Sequence, residues 1–316
     1  MNTRIQKPKL ALVVPCYNEE EMISTTINTL SELLQQHIAN DHITNDSFIL
    51  IVNDGSRDKT WEIILVNESQ YVKALKLSKN VGHQHALLAG LTWVTDKADC
   101  CISLDADLQD DVNAITEMLQ KYKEGNRIVY GVRDSRKADK LMKKSTAQVF
   151  YKIMKRMGVD VVYNHADFRL LDNKVLIELQ KYKEVNLFLR GLFPLMGFTS
   201  AIVYYGRKKR EAGESKYPFK KMLQLAINGV TSFSNFPLKL ITRIGLIIFL
   251  GSLLTSVWVF IVVIRGVNAP GWASITLPMY FLGGIQLMVL GVMGEYLGKI
   301  YLETKGRPRF HIEEEI

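Results

Sequence analysis

The chain opens as a series of short, unbroken apolar runs separated by longer amphipathic ones. LALVVPCY (10–17) predicts a buried strand, and residues 19–36 predict a helix. Phe48 to Val52 predicts a second strand, followed by a helix over 60–68. A third strand is expected at 72–77, a helix at 83–95 and a fourth strand at 100–104; VYGV (129–132) predicts one more. Strands alternating with helices imply an α/β fold with a mostly parallel, doubly wound sheet. In such sheets ligands bind beyond the carboxyl ends of the strands. Polar residues collect at three of those ends: Pro15 to Glu20, Asn53 to Asp58 and Asp105 to Asp110. That coincidence points to one composite site.

The pattern changes after residue 216. Tyr217 to Leu238 places its apolar residues on one helical face with Lys220 and Lys221 off it, as an interfacial helix lying on a bilayer does; a plain connecting helix fits the same pattern. Ile244 to Ile264 then runs 21 residues without a charge, and Trp272 to Gly294 a further 23. At 1.5 Å rise per residue the first spans roughly 31 Å, about one hydrocarbon core. The short linker RGVNAPG predicts an antiparallel transmembrane hairpin. Lys239, Arg243, Lys299, Lys305, Arg307 and Arg309 flank one side and only Arg265 the other, which puts both chain ends in the cytoplasm. The expected plan is a catalytic domain over 1–216, an interfacial region over 217–240, two membrane helices within 241–298 and a cytoplasmic tail over 299–316, in the inner (plasma) membrane.

Charge sharpens this picture. Of the formal net charge of +8, residues 241–316 carry +1 and the remainder +7. A basic soluble part suits phosphates, nucleotides or an anionic membrane surface. Neither zinc-finger spacing nor basic residues interleaved with aromatics is present, so nucleic acid is not the expected partner. The three cysteines, Cys16, Cys100 and Cys101, lie in apolar runs and are expected to be reduced and buried, as in a cytosolic compartment. The N-terminal apolar run is too short for a signal peptide.

The most informative segment is CCISLDADLQD (100–110), where an apolar run ends in Asp105, Asp107 and Asp110. Alone, it reads equally as a polar turn or as a hard-cation site for Mg²⁺ or Mn²⁺. NDGSRDKT (53–60) ends the second strand. Asp54 there suits a ribose or base edge, Gly55 permits a tight turn, and Asp58 or Ser56 caps the helix that follows. His83 and His85, two residues apart, do not share a helix face, so no zinc site is expected there; His83 and Gln84 are expected to cap or line the pocket.

VVPCYNEE (13–20), NDGSRDKT (53–60), NVGHQHALLAG (80–90) and LDADLQD (104–110), in that order, resemble the inverting nucleotide-sugar glycosyltransferases of family 2, with the GT-A (Rossmann-like) fold. ADFRLLD (166–172), NLFLRGL (186–192) and GRKKREAGESKYPF (206–219), followed by two apolar helices, resemble its polyprenyl-phosphate branch, the bactoprenol glucosyltransferase type related to dolichyl-phosphate mannose synthase. The resemblance implies that Pro15, Tyr17 and Glu19 line the nucleotide pocket and that Asp54 contacts the uridine or ribose. It makes Asp105 and Asp107 the metal-binding pair, with Asp107 the more direct ligand, and it extends the site through Gln109 and Asp110. Asp167 takes the position of a base or positioning residue. Arg133, Arg136, Arg207, Arg210, Ser215 and Lys216 are expected to meet the diphosphate or the acceptor phosphate, for which guanidinium groups are suited. Attraction of a basic face to anionic lipid is the competing explanation for the neighbouring lysines.

The reaction implied is transfer of one hexose, glucose by this resemblance, from a UDP-sugar to undecaprenyl phosphate at the cytoplasmic face, with Mg²⁺ or Mn²⁺. The alternative is a membrane synthase extending a glycan or a lipid-linked oligosaccharide. The QxxRW motif of processive synthases is absent from the sequence. The branch implies a homotetramer, but nothing in the residues counts subunits or names the sugar.

Overall fold

The computed structural model describes residues 7–133, 165–185, 187–206, 236–265 and 271–316. They fall in two compact units, one holding 7–133, 165–206 and 306–316, the other 236–265 and 271–305.

The first unit is built on one eight-stranded sheet. Its elements run β1 (Leu10–Cys16), α1 (Ile23–Ala39), β2 (Phe48–Asn53), α2 (Thr60–Val66), β3 (Val72–Leu77), α3 (His83–Val94), β4 (Cys100–Ser103), α4 (Ala114–Lys123), β5 (Ile128–Arg133), β6 (His165–Asp172), α5 (Asn173–Leu179), α6 (Leu189–Leu195) and β7 (Ser200–Tyr205). The second unit contributes α7 (Phe236–Ile264) and α8 (Trp272–Thr304), after which the chain returns to the first unit as β8 (Ile312–Glu315). The strand order is β7-β5-β6-β4-β1-β2-β3-β8. The β4-β1-β2-β3 block is parallel throughout, as is β5 with β7; β6 and β8 run antiparallel to their neighbours. The expected α/β, mostly parallel sheet is present.

Helices cover both faces of this sheet, which is why its strands read as unbroken apolar runs rather than alternating ones. Leu10, Leu12 and Val14 of β1 pack with α1, α2 and α4 on one face. Ala11 and Val13 pack with α3, α5 and α6 on the other. The spacing of Ile23, Ile27, Leu30 and Leu34 gives α1 its buried stripe, each residue contributing about 1.5–3 kcal/mol. Close approach of α3 depends on Gly90, where a Cβ would lie 2.5 Å from Val13 Cγ1 and 2.9 Å from Val52 Cγ2.

The chain end departs from expectation. Residues 306–316, read from sequence as a tail, fold back as the edge strand β8 against β3. Three consecutive glutamates hid this strand, because strands rarely carry them. Here they have partners: Lys76 lies 3.3 Å from Glu313, Lys97 lies 3.9 Å from Glu315, and Trp61 Nε1 donates to Glu314 at 3.2 Å.

In the second unit, α7, ending at Ile264, and α8, beginning at Trp272, contain the two apolar spans of the sequence. Both helices outrun the spans: α7 takes in residues 236–240, which the sequence assigns to the interfacial segment, and α8 continues to Thr304. Within α8, Phe281–Thr304 is long and apolar enough to cross a bilayer. The rest of the expected interfacial helix, residues 217–235, lies outside the described residues, as do Arg136, Arg207, Arg210, Ser215 and Lys216.

Candidate functional site

The carboxyl ends of β1, β2 and β4 lie on one edge of the sheet, as parallel pairing requires. β6 runs the other way, so its beginning, not its end, reaches that edge. Asp167, near the start of β6, is thereby brought beside Asp105, which follows β4. Ser103 of β4 donates its hydroxyl to the Asp167 carbonyl and fastens the two strands where the carboxylates emerge.

One half of the edge is held by many hydrogen bonds, most of them from backbone amides to short polar side chains. The loop after β1 and the loop after β2 are laced together: Asn18 N–H donates to Ser56 Oγ at 2.9 Å, Arg57 N–H to Asn18 Oδ1 at 2.9 Å, and Glu19 N–H to Thr60 Oγ1 at 2.9 Å. Asp58 accepts from the amide and hydroxyl of Thr60, the first residue of α2, while Ser56 serves the neighbouring loop. Pro15 is buried and Tyr17 is exposed at this lip; Glu19 is half-buried.

Asp54 has a job that the sequence reading did not include. Its two carboxylate oxygens accept from the Val81 amide at 2.7 Å and the Gly82 amide at 2.9 Å, pinning the loop that leads into α3. Burial raises its pKa in spite of these bonds. Gly55 makes the arrangement possible: its φ is +62°, and a Cβ there would lie 2.6 Å from the Lys79 carbonyl carbon. Asp54 therefore fixes the backbone of the loop that leads into α3.

The acidic loop after β4 is held from below. The buried Thr26 of α1 donates its hydroxyl to the Ala106 carbonyl at 2.6 Å. Asp107 Oδ1 accepts from the Gln109 amide at 3.3 Å, and Leu108 between them has a φ of +47°. A leucine in the left-handed region is strained, and such strain gathers at functional loops. Burial raises the Asp105 carboxyl; His83 opposes this, while the charges of Asp167, Asp110 and Asp107 add to it. Gln109 and Asp110 are buried. Asp110 Oδ1 accepts from both Nε and Nη2 of Arg133 at 3.1 Å. Arg133, expected to meet phosphate, pairs here with a carboxylate of the same loop.

The other half of the edge is ionic. Asp167 is 5% exposed. Arg190 donates to it through Nε at 3.3 Å and Nη2 at 3.0 Å, and Arg169 pairs with Oδ1. Asp167 and Arg169 stand two apart on a strand and so share a face. Arg169 is fully buried beneath the Phe193 ring, 4.9 Å from its centroid; its Nε and Nη1 have no hydrogen-bond partner among the described residues. His83 Nε2 lies 3.4 Å from Asp167 Oδ2 and 3.5 Å from Asp105 Oδ1, bridging the two carboxylates. Gln84 Nε2 donates to Asp167 at 3.4 Å while its Oε1 accepts from the Leu189 amide at 3.2 Å. Burial alone raises the Asp167 carboxyl, but Arg190, Arg169 and the His83 bond outweigh it and hold the group well below the usual carboxylate range. Burial disfavours protonated His83, yet its Asp167 bond and the Asp105 charge raise its pKa.

Arg190 escaped the sequence reading, as did the bridging role of His83 and the link that Gln84 makes to Asp167, two residues expected only to cap or line the pocket. The signal available was the pair of motifs that hold them, NVGHQHALLAG and NLFLRGL, which share no pattern to show that they meet. The three thiols are free and buried, and burial pushes each thiol well up, which removes a cysteine nucleophile.

Asp105 and Asp107 form an all-oxygen donor set of the kind that suits Mg²⁺ or Mn²⁺. Among the described residues no group of three or more His, Cys, Asp or Glu is placed to hold a metal. The protein's share of such a site is then one or two carboxylates, the usual share where substrate phosphates and water complete the shell.

The model of the family described as glycosyl transferase family 2 matches residues 11–180, which include β1 to β6 and every charged group just described except Arg190. Relatives include the uncharacterized glycosyltransferase YkoT of Bacillus subtilis, 48% identical over 97% of this chain and 92% of that protein. A bactoprenol glucosyl transferase of Shigella phage SfX is 38% identical over 96% of this chain and 99% of that protein. Among solved structures, mannosyl-3-phosphoglycerate synthase from Rubrobacter xylanophilus superposes with a TM-score of 0.48 at 14% identity, covering 71% of this chain and 72% of that one. With the matched segment building the acidic edge and relatives running almost end to end, this chain belongs to glycosyl transferase family 2 and is a glycosyltransferase.

Proposed function

We propose that the enzyme transfers one hexose, glucose first among the candidates, from a UDP-sugar to a polyprenyl phosphate at a membrane surface, with inversion at the anomeric carbon. The observation that carries this reading is the meeting of Asp105 and Asp107 with the cationic cluster around Asp167 on one sheet edge. A donor diphosphate needs both: oxygen ligands that share a cation with it, and guanidinium groups beside it. The name of the phage relative, a bactoprenol glucosyl transferase, supports the choice of sugar and acceptor.

Each part of the edge has a role in this reading. The laced loops at Pro15 to Glu20 and Asn53 to Asp58 form a rigid cradle for the nucleoside. Asp54 holds the α3 loop that presents His83. Asp107, with Asp105, would hold Mg²⁺ or Mn²⁺, which supplies charge neutralisation at the leaving diphosphate. The acceptor is a phosphate monoester with a second pKa near 6, so it is already largely ionised at pH 7 and needs no strong base. Asp167, held ionised by two arginines, is a weak one. The acceptor oxygen attacks the anomeric carbon opposite the departing UDP.

A membrane location is supported by the apolar stretch in α8. The return of the chain as β8 supports two crossings. Both ends of the second unit join the same catalytic unit, so the number of crossings between them must be even. If Phe281–Thr304 crosses, α7 supplies the second crossing, and the basic residues flanking the pair favour a cytoplasmic catalytic domain.

The test is incubation of the full-length protein with UDP-glucose, other UDP- and GDP-sugars, a short polyprenyl phosphate and Mn²⁺ or Mg²⁺, with mass spectrometry of the lipid. A lipid phosphate carrying one hexose is expected. No lipid product with any donor would contradict the reading, and products longer than one sugar would favour a chain-extending synthase.

A further inference from the structure

We propose that Arg190 grips a phosphate group of a substrate at this edge, and that Asp167 is its positioning residue rather than a proton acceptor. The inference rests on the transferase reading above.

Charge is the first argument. One carboxylate, Asp167, faces two guanidinium groups that stay charged at any working pH. Arg169 is wholly buried and neutralises Asp167 from inside. Arg190 is a second guanidinium on the same carboxylate, with 40% of its side chain exposed. A partly exposed guanidinium held beside the Asp105 and Asp107 loop has a use where a phosphate arrives. A guanidinium group takes phosphate oxygens in a planar, two-pronged way.

Geometry is the second. Nε and Nη2 both go to Asp167, so the guanidinium plane is fixed along one edge before any ligand arrives. Gln84 ties Asp167 to the Leu189 amide at the head of α6, the helix that carries Arg190. Ser103 fixes the backbone of Asp167 to β4. Five hydrogen bonds among four elements thus set the position of one partly exposed arginine, which is more support than an incidental surface ion pair receives.

The phosphate belongs either to the donor diphosphate or to the lipid acceptor, and steady-state kinetics of the full-length enzyme separates them. Arg190→Ala is expected to raise KM for UDP-glucose or for a short polyprenyl phosphate roughly 10- to 100-fold, the loss of a charge-assisted contact, with unchanged melting temperature. The substrate affected names the phosphate. Arg190→Lys should recover only part of the loss. Combining Arg190→Ala with Asp167→Asn should be no worse than the poorer single variant, because both act through one contact. Unchanged KM values for both substrates in Arg190→Ala, with kcat collapsing in Asp167→Asn, would overturn the proposal and make Asp167 the base. An inactive wild-type enzyme would count against the transferase reading instead. Calorimetric binding of UDP and of the polyprenyl phosphate to wild type and Arg190→Ala would then decide without turnover: weaker binding of either supports the proposal, and equal binding of both overturns it.

Discussion

The two halves of the sheet edge are built on different principles. Around β1 and β2 the loops are held by many hydrogen bonds, each donated by a backbone amide to a short polar side chain, most of them neutral and one the Asp58 carboxylate. Around β6 and α6 the site is held by a few charges concentrated on one buried carboxylate. The first arrangement is redundant, since each neutral bond there contributes only about 1 kcal/mol net. The second is not, because removing one buried partner leaves the other uncompensated. Nucleoside recognition needs a fixed shape and the transfer step needs a fixed field, and the two halves are suited to these tasks in turn.

Substitutions can break or sharpen this contrast. The largest effect is expected for Arg169→Met, which removes the fully buried partner of Asp167 and should cost about 3–5 kcal/mol of unfolding free energy in denaturant titration. A loss below ~1 kcal/mol would show that Arg190 alone satisfies Asp167. Gly55→Ala comes next. It forces a side chain into the left-handed region and onto the Lys79 backbone, at about 2–4 kcal/mol, and should loosen the loop that Asp54 holds. Thr60→Val should cost only about 1 kcal/mol and leave UDP affinity nearly unchanged, because the neighbouring bonds still hold the two loops together. A collapse of UDP binding in that variant would end the claim of redundancy.

The smallest effect lies outside both halves. His37 is buried beside His42, with the two Nδ1 atoms 3.1 Å apart, and burial followed by the His42 charge lowers its pKa. The unfolded chain then binds the proton more readily than the folded one. The stabilising contribution is complete above the ordinary histidine value of about 6.5 and is lost as pH falls through the lowered folded value. His37→Gln should flatten the fall of melting temperature over that acidic range, while leaving the two halves of the edge alone.

How much of this was legible in the sequence follows the same division. The β1, β2 and β4 ends were readable because each joins an apolar run to a polar cluster within ten residues, and parallel pairing sends all three ends to one edge. Asp54 was legible as a carboxylate at a strand end but its load was not, since the amides it holds lie 27 and 28 residues away. The ionic half depends on an antiparallel strand whose start meets the end of β4, which no local pattern announces. Arg190 reaches Asp167 across 23 residues and Gln84 across 83. The strand β8 was hidden for a different reason: its glutamates become favourable only once Lys76, Lys97 and Trp61 stand opposite.

The central claim is that the acidic end of β4 holds a sugar-nucleotide diphosphate through a divalent cation. Calorimetric titration of UDP into the full-length protein, with and without Mn²⁺, tests it directly when repeated on Asp107→Asn. The account predicts tight binding only with the metal, and loss of that metal-dependent part in Asp107→Asn at unchanged melting temperature. Equal UDP affinity with and without Mn²⁺, or an Asp107→Asn variant that binds as wild type does, would contradict it.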